Sequence, residues 1–423
     1  MTDARRPRLR PVQSAPFQRA NGEIWFLLQD PSGFAGAIEI PEDAARVASL
    51  MDGVRDCGEI EAEFKRQFGF AVHSGDVADL VEKLDERWFL DSERFRARWK
   101  SEVETYLNLP TRPAAHAGAA YAGQSAALTA QLEGLFAHRD GPGPPGAPGS
   151  KSNGRRLAGI LSPHIDLHRG GPAFAWAYRR LVEESDADLF VIFGTAHQWM
   201  RNPFSVSKKH FDTPLGVVQT DKEFVARLAR NLAAQPGGQD VRLYADELAH
   251  RTEHSIEFQA VFLQHLLGEH RQFQIVPILV GSFHQFVRSR RQPSTDPAVQ
   301  AFVAALRATV DASQRKVCFI AGGDLAHIGP RFGDRDRLDR DRLERQADSD
   351  RQLLAAACRP DAAGFFDLVA AESDRNRICG LSPMYTMLEV MRPGCGEFLT
   401  YGQAADAQGT SCVSFGSLAF YEA

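Results

Sequence analysis

The sequence predicts an α/β fold: a central, mostly parallel sheet between helices, an α/β/α sandwich, preceded by a small, mainly helical domain. Three observations predict it. Strand-like and helix-like patterns alternate from Leu157 to the end of the chain. Runs such as IVPILV (275–280) and CFIAG (318–322) are apolar throughout, as in strands covered on both faces. Several of these runs stop at a histidine or aspartate beside glycine, where α/β proteins place working side chains.

Taken in order, residues 1–20 read as a flexible arm. Glu23–Leu28 fits a short strand and Asp30-Pro31-Ser32-Gly33 a turn. Pro41-Glu42-Asp43 opens a helix whose acidic first turn suits the helix dipole, and Met51-Asp52-Gly53 closes it. Cys57–Phe68 and Gly75–Arg87 read as two further amphipathic helices, and Trp88–Asp91 as the start of a small β-wing. Residues 21–95 therefore make a small domain and 96–111 a helical connector. A helix falls near Ser125–His138, and Asp140–Gly154, rich in Pro, Gly and Ser, reads as a mobile surface loop within the second domain, 112–423.

In the second domain the expected strands are Leu157–Leu161, Leu189–Gly194, Phe204–Ser207, Gln274–Val280, Lys316–Gly322, Glu397–Tyr401 and Cys412–Tyr421. The expected helices are Pro172–Glu184, Asp221–Leu232, Glu253–Leu267, Ala298–Ser313, Arg340–Ala356, Ala362–Ala371 and Pro383–Met391. No period of 20–50 residues repeats, which excludes a solenoid.

Composition narrows the function. A net charge of −5 argues against nucleic-acid binding, and the arginine clusters at 5–10 and 288–291 are short. No apolar stretch is long enough for a membrane span and no secretory signal opens the chain. Six cysteines without a Cys-x-x-Cys pair fit a reduced, cytoplasmic protein rather than a disulfide scaffold or zinc ribbon. There is no Gly-x-Ser-x-Gly elbow, P-loop or dinucleotide fingerprint.

Ten of the 13 histidines lie between His164 and His327, which says where to look for chemistry. In Ser162-Pro163-His164 the proline holds the preceding residue extended and leaves His164 at the end of a strand. The glycine pair Gly170-Gly171 argues for a loop, setting His168 outside the immediate site. Phe190–Trp199 repeats the pattern, with a strand running through Gly194-Thr195-Ala196 to His197. In EHSIEFQ (253–259), His254 and Glu257 are i,i+3 neighbours, and a carboxylate beside a histidine suits a general base. In FIAGGDLAHIG (319–329) the strand ends in two glycines and offers Asp324 and His327. Two histidines and a carboxylate form the facial set of non-haem iron(II), and zinc also fits such ligation. His164, His197, Asp324 and His327 are therefore the candidate metal ligands, with His254 and Glu257 the candidate catalytic pair.

These segments resemble a known family. RPAAHAGAAY (112–121), ILSPHIDLHRGG (160–171), FGTAHQW (193–199), FDTPLGVVQTD (211–221), TEHSIEFQ (252–259), VPILVG (276–281), GGDLAHIG (322–329) and ICGLSP (378–383) are similar, in order, to the Memo family, called AmmeMemoRadiSam system protein B in bacteria and archaea. The resemblance implies a scaffold like the class III extradiol dioxygenases of the LigB-like group, which open catechol-type rings with iron(II) and dioxygen. It implies that His164 and His197 are pocket histidines and His254 the acid/base, in a dioxygenase-like oxidoreductase working beside a radical-SAM partner. Some members carry a cysteine where Ala326 stands, so no thiolate is expected at that point. The other reading that the family leaves open is a non-enzymatic protein using the same pocket for a peptide or a small-molecule intermediate. Residues 21–95 are similar to winged-helix-type, PqqD-like modules, which implies peptide binding or a capping role.

Overall fold

The computed structural model describes residues 6–19, 21–30, 34–73, 75–150, 154–359 and 361–422. The first five residues of the expected arm, 31–33 of the expected turn and 151–153 of the expected loop lie outside the described residues. The chain divides into two compact units, Met1–Asn108 and Leu109–Ala423.

The first unit contains strands β1 (Gln13–Gln18), β2 (Ile24–Gln29) and β3 (Ile38–Pro41). Helices α1 (Glu42–Ser49), α2 (Cys57–Phe68), α3 (Asp76–Glu86) and α4 (Glu93–Asn108) follow. The strands form an antiparallel sheet in chain order. Helix α2 has a full capping box, with Asp56 and Glu59 each accepting from the other's backbone N–H. Its core gathers Ile60, Phe64, Val77, Leu84 and Phe89, all nearly solvent-free.

The arm expectation is corrected for the described residues. Gln13–Gln18 pairs along its whole length with β2, and Leu9 and Arg8 bond backbone-to-backbone with Met51 and Asp91. Arg10 is buried, with a 3.0 Å ion pair to Asp30 and its guanidinium over the Phe95 ring. A low-hydropathy segment is ordered here because its backbone groups find partners in the sheet and the 51–53 and 89–91 segments. The segment read as a connector is mostly α4 and belongs to the first unit.

The second unit runs β4 (Thr111–Arg112), α5 (Ser125–Ala137), β5 (Leu157–Ser162), α6 (Leu167–Glu184), β6 (Leu189–Thr195), β7 (Phe204–Val206), β8 (His210–Thr213) and β9 (Gly216–Val218). It continues through α7 (Lys222–Ala233), α8 (His254–Leu267), β10 (Gln274–Val280), α9 (His284–Ser289), α10 (Pro297–Asp311), β11 (Val317–Gly322) and β12 (His327–Ile328). It closes with α11 (Arg340–Ala357), α12 (Ala362–Ala371), α13 (Leu381–Met391), β13 (Cys395–Ala405) and β14 (Cys412–Tyr421).

Its large sheet is mixed, with order β12-β14-β5-β11-β6-β10-β7 and β13 on the outer side of β14. Strands β5, β11, β6 and β10 are mutually parallel, whereas β14, β7, β12 and β13 pair antiparallel with their neighbours. The parallel character is thus confined to the centre. Alternation along each central strand divides the core. Val191, Phe193, Ile278 and Phe319 pack with α7, α10 and α13; Phe190, Ile192, Ile275 and Ile320 pack with α5, α6 and α8.

One loop expectation is overturned. Helix α6 begins at Leu167, capped by Asp166, so Gly170 and Gly171 are helical. A Cβ at Gly170 would lie 2.1 Å from Ile165, and one at Gly171 2.4 Å from Leu135. Close packing, not loop geometry, requires the glycine pair, and His168 lies exposed on that helix. The described part of the 140–154 segment contains no helix or strand and bonds to α6. Gly146 N–H donates to the buried carboxylate of Glu183, Gly149 N–H to Val182 O and Trp176 Nε1 to Asp140 O.

Candidate metal centre

Four central strands run in one direction, and their C-terminal ends form the sheet edge where open α/β folds bind ligands. Strand β5 stops at Ser162, and the backbone turns through Pro163, whose carbonyl accepts from Gln259 Nε2 at 2.9 Å. His164 follows, 2% exposed. Its N–H and that of Ile165 donate to Asp324 Oδ1 at 2.9 and 3.2 Å, fixing the turn to the end of β11. The ring Nδ1 lies 3.1 Å from Gly322 O. A carbonyl only accepts, so Nδ1 carries the hydrogen and Nε2 keeps its lone pair.

His197 follows β6 and is held by a residue that the sequence did not single out. Its N–H donates to Glu253 Oε2 at 2.9 Å, and its Nδ1 lies 3.0 Å from Glu253 Oε1. The same carboxylate caps α8 through Ser255 N–H at 3.0 Å and stands 3.3 Å from His254 Nδ1. One buried carboxylate therefore orients His197, leaving its Nε2 for the pocket, and lies beside the Nδ1 of His254. The rings of His164, His197 and His254 lie 4.7–5.1 Å apart, centroid to centroid. Each offers a donor atom within 4.8 Å of the others.

A second donor group shares His164. It consists of His164, Asp324 and Cys379, again within 4.8 Å of one another. Cys379 Sγ lies 3.2 Å from His164 Nε2, and Asp324 Oδ2 3.6 Å from the same nitrogen. Cys379 arrives from the segment before α13, with Gly380 N–H donating to Asp324 O at 2.9 Å. A Cβ at Gly380 would fall 2.6 Å from that carbonyl, so this approach needs glycine. No thiol comes from the Ala326 position, as expected, but one reaches the pocket from ICGLSP, a segment noted only for its resemblance.

The electrostatics follow from burial. Desolvation, then the neighbouring His197, pushes His164 down to about 3. Desolvation likewise pushes His254 down to about 3. His197 is also penalised by burial, but its hydrogen bond and attraction to Glu253 win and raise it. Burial would raise Glu253, yet the hydrogen bonds and charge of His197, with a smaller charge interaction from His254, hold it well below the carboxylate range. Burial raises the Cys379 thiol and the Asp324 carboxyl. Near neutral pH the pocket therefore presents two neutral imidazoles, with the Cys379 thiol donating to the lone pair of His164 Nε2. This donor set, oriented imidazoles beside a carboxyl and a thiol, fits a divalent transition-metal ion.

Of the residues expected at the site, His164, His197, His254 and Asp324 come together. Glu257 and His327 do not join either donor group. Glu257 is buried, and its carboxylate is taken up by Arg112 Nη1 (2.5 Å), the N–H groups of His116 (2.9 Å) and Ala115 (3.2 Å), and Tyr121 OH (2.5 Å). With four donors it has no capacity left to orient His254, and the carboxylate beside that ring is Glu253. Glu257 instead anchors the loop carrying His116, whose ring lies 5.6 Å from His254. His327 turns Nδ1 toward the carbonyls of Leu325 and Arg377, both at 3.2 Å.

Fold and pocket together define an α/β protein with a convergent donor cluster at the C-terminal edge of its sheet. The chain belongs to the family described as Memo-like protein, whose model matches residues 112–419. A MEMO1 family protein of Aquifex aeolicus is 28% identical over 399 residues, covering 94% of this chain and 96% of the relative. That alignment is longer than the second unit and so reaches into the first. A MEMO1 family protein of Methanococcoides burtonii is 32% identical over 261 residues, 61% of this chain and 83% of the relative. One from Methanothermobacter thermautotrophicus is 30% identical over 314 residues, 73% of this chain and 99% of the relative. Among solved structures, the uncharacterized protein JW3007 of Escherichia coli K12 is similar at 13% identity and a TM-score of 0.33, over 62% of this chain and 99% of that one. That likeness is too slight to bear on fold or function.

Proposed function

We propose that this Memo family protein is a metal-dependent, dioxygenase-like oxidoreductase whose resident ion is iron(II). One observation carries the reading: three imidazoles converge while an acceptor fixes the Nδ1 of two of them, Gly322 O for His164 and Glu253 for His197, with His254 Nδ1 3.3 Å from the same carboxylate. Unoriented surface histidines do not share outer partners in this way. His164 and His197 would hold the ion, with Asp324 and Cys379, which approach the same His164 Nε2, as anionic donors once deprotonated. Such an ion, when bound with open positions, supplies dioxygen or substrate activation.

The remaining chemistry belongs to the chain. His254 is the acid/base: it is neutral near pH 7, and Glu253 beside it stabilises the protonated ring while a proton is held there. Gly322 O and Glu253 keep His164 and His197 each in one tautomer, and the His116 loop forms a wall of the pocket. The resemblance of the conserved-order segments to AmmeMemoRadiSam system protein B supports an association with a radical-SAM protein as part of the same proposal.

Anaerobic purification followed by elemental analysis tests the reading. Near-stoichiometric iron is expected, dropping at least tenfold in His164→Ala and His197→Ala, while His254→Ala keeps its iron and loses turnover. Wild-type protein that takes up no iron when loaded anaerobically would overturn it.

A further inference from the structure

Six non-glycine residues have a left-handed backbone among the described residues, and three fall in one short segment: Ser373, Asp374 and Arg377, with φ of 55°, 47° and 53°. In that region Cβ crowds the following carbonyl, so the conformation persists only where the surroundings impose it. Here they impose it from the side of the donor pocket. His327 N–H donates to Asn376 O at 2.7 Å, and Arg377 Nη1 donates to His327 O at 2.8 Å. Arg377 Nη2 pairs with Asp334 at 2.5 Å, and Arg342 holds the same carboxylate at 2.7 Å. Two residues further on, Cys379 enters the pocket.

The other side of the segment is less filled. A cavity of about 70 Å³ is lined by Glu372, Asp374, Asn376 and Ile378, with Asp350 from α11 facing them. The segment is therefore strained and has an open pocket beside it; the Arg377 side chain and the backbone and ring of His327 tie it to β12, and Thr195 Oγ1 donates to Cys379 O at 3.2 Å. Helix α13 itself has no side-chain cap at its N-terminus. Nothing comparable holds the His254 side, where the donor sits on a capped helix.

We propose that residues 373–379 form a hinged strap, latched by Arg377 to His327 and Asp334, whose opening withdraws Cys379 from the pocket and removes one donor. Its consequence, control of ion retention, rests on the metal-centre reading; the motion itself does not. It gives His327 a role that its position outside both donor groups leaves vacant: its backbone and Nδ1 form the fixed half of the latch.

The test uses the full chain in metal-free form. Cys379 alkylation by N-ethylmaleimide is followed by mass spectrometry, with Cys318, wholly buried in β11, as the internal reference. Arg377→Gln and Asp334→Asn should each raise the Cys379 rate at least tenfold and leave Cys318 unchanged. Arg375→Gln, which breaks only an exposed pair with Glu372, should change neither. Cys379 rates equal to wild type in both latch variants overturn the strap.

If the variants misfold, Cys318 accelerates with Cys379, and amide exchange on the wild-type protein decides instead. Amides 376–380 exchanging at least tenfold faster than those of β11 support the strap, and equal protection overturns it. Adding iron(II) anaerobically separates the two ideas. No uptake with fast latch-variant labelling removes the metal reading and keeps the strap; uptake with wild-type labelling rates removes the strap alone.

Discussion

Helices α8 and α13 bring their N-termini to the same pocket and are held there in opposite ways. At α8, Glu253 caps the helix and orients His197, while Glu257 one turn later is locked to Arg112 with side chains 0–1% exposed. At α13 the cap position is Gly380, no side chain caps the helix, and the approach runs through three left-handed residues. One donor is thus set by buried charge and the other by a strained tether. Different elements therefore supply the donor groups of one pocket and hold them by different means.

Breaking the fixed side should cost most. Arg112→Ala leaves Glu257 charged and without its ion-pair partner in the core, a loss of about 3–5 kcal/mol, read from urea unfolding monitored by circular dichroism. A value under 1 kcal/mol would show that the α8 side is not anchored as described. Glu253→Gln removes the charge that orients His197 and lies beside His254, and should lower iron(II) affinity about 10–100-fold. Competition with a chromogenic chelator measures it, and Cys379→Ser should lose less than Glu253→Gln if the adjustable side contributes the weaker donor.

Acid should loosen the fixed side first. His164 and His254 fall to about 3 through burial, and His250, buried near Ser205, does so as well. A histidine depressed in the folded state binds its proton only on unfolding, so its contribution is complete above pH ~6.5 and declines as pH falls from there toward 3. Each adds up to about 1.4 kcal/mol per pH unit within that window. Glu253, held low, acts in the same direction at lower pH. Denaturant midpoints of the metal-free protein should therefore drop between pH 6.5 and 5; a flat profile would mean that these rings are protonated when folded. The smallest effect belongs to the tether: Ser373→Gly should raise stability by about 0.5 kcal/mol by relieving one left-handed residue.

Much of the second unit was legible in its sequence because its signals are local. Apolar runs mark β5, β6, β10 and β11, and the residue types at their ends mark His164, His197 and Asp324. Glu253 was passed over because it and Glu257 look alike in EHSIEFQ, and only the partners arriving from Arg112, Ala115, His116 and Tyr121 tell them apart. Cys379 was missed because a lone cysteine between isoleucine and glycine carries no spacing signal. It reaches the pocket through backbone contact between Gly380 and the Gly323–Asp324 segment, some 55 residues away. The glycine pair of α6 misled for a related reason: its glycines serve packing against Ile165 and Leu135, which the local sequence does not display.

The bond between Arg112 and Glu257 spans 145 residues of chain. During synthesis the 112–121 segment therefore emerges long before its buried carboxylate partner exists. The wall carrying His116 must stay unformed until α8 has left the ribosome and docked. Long-range closure of this kind slows folding, and it makes completion of the pocket report on assembly of the half of the sheet to which α8 packs.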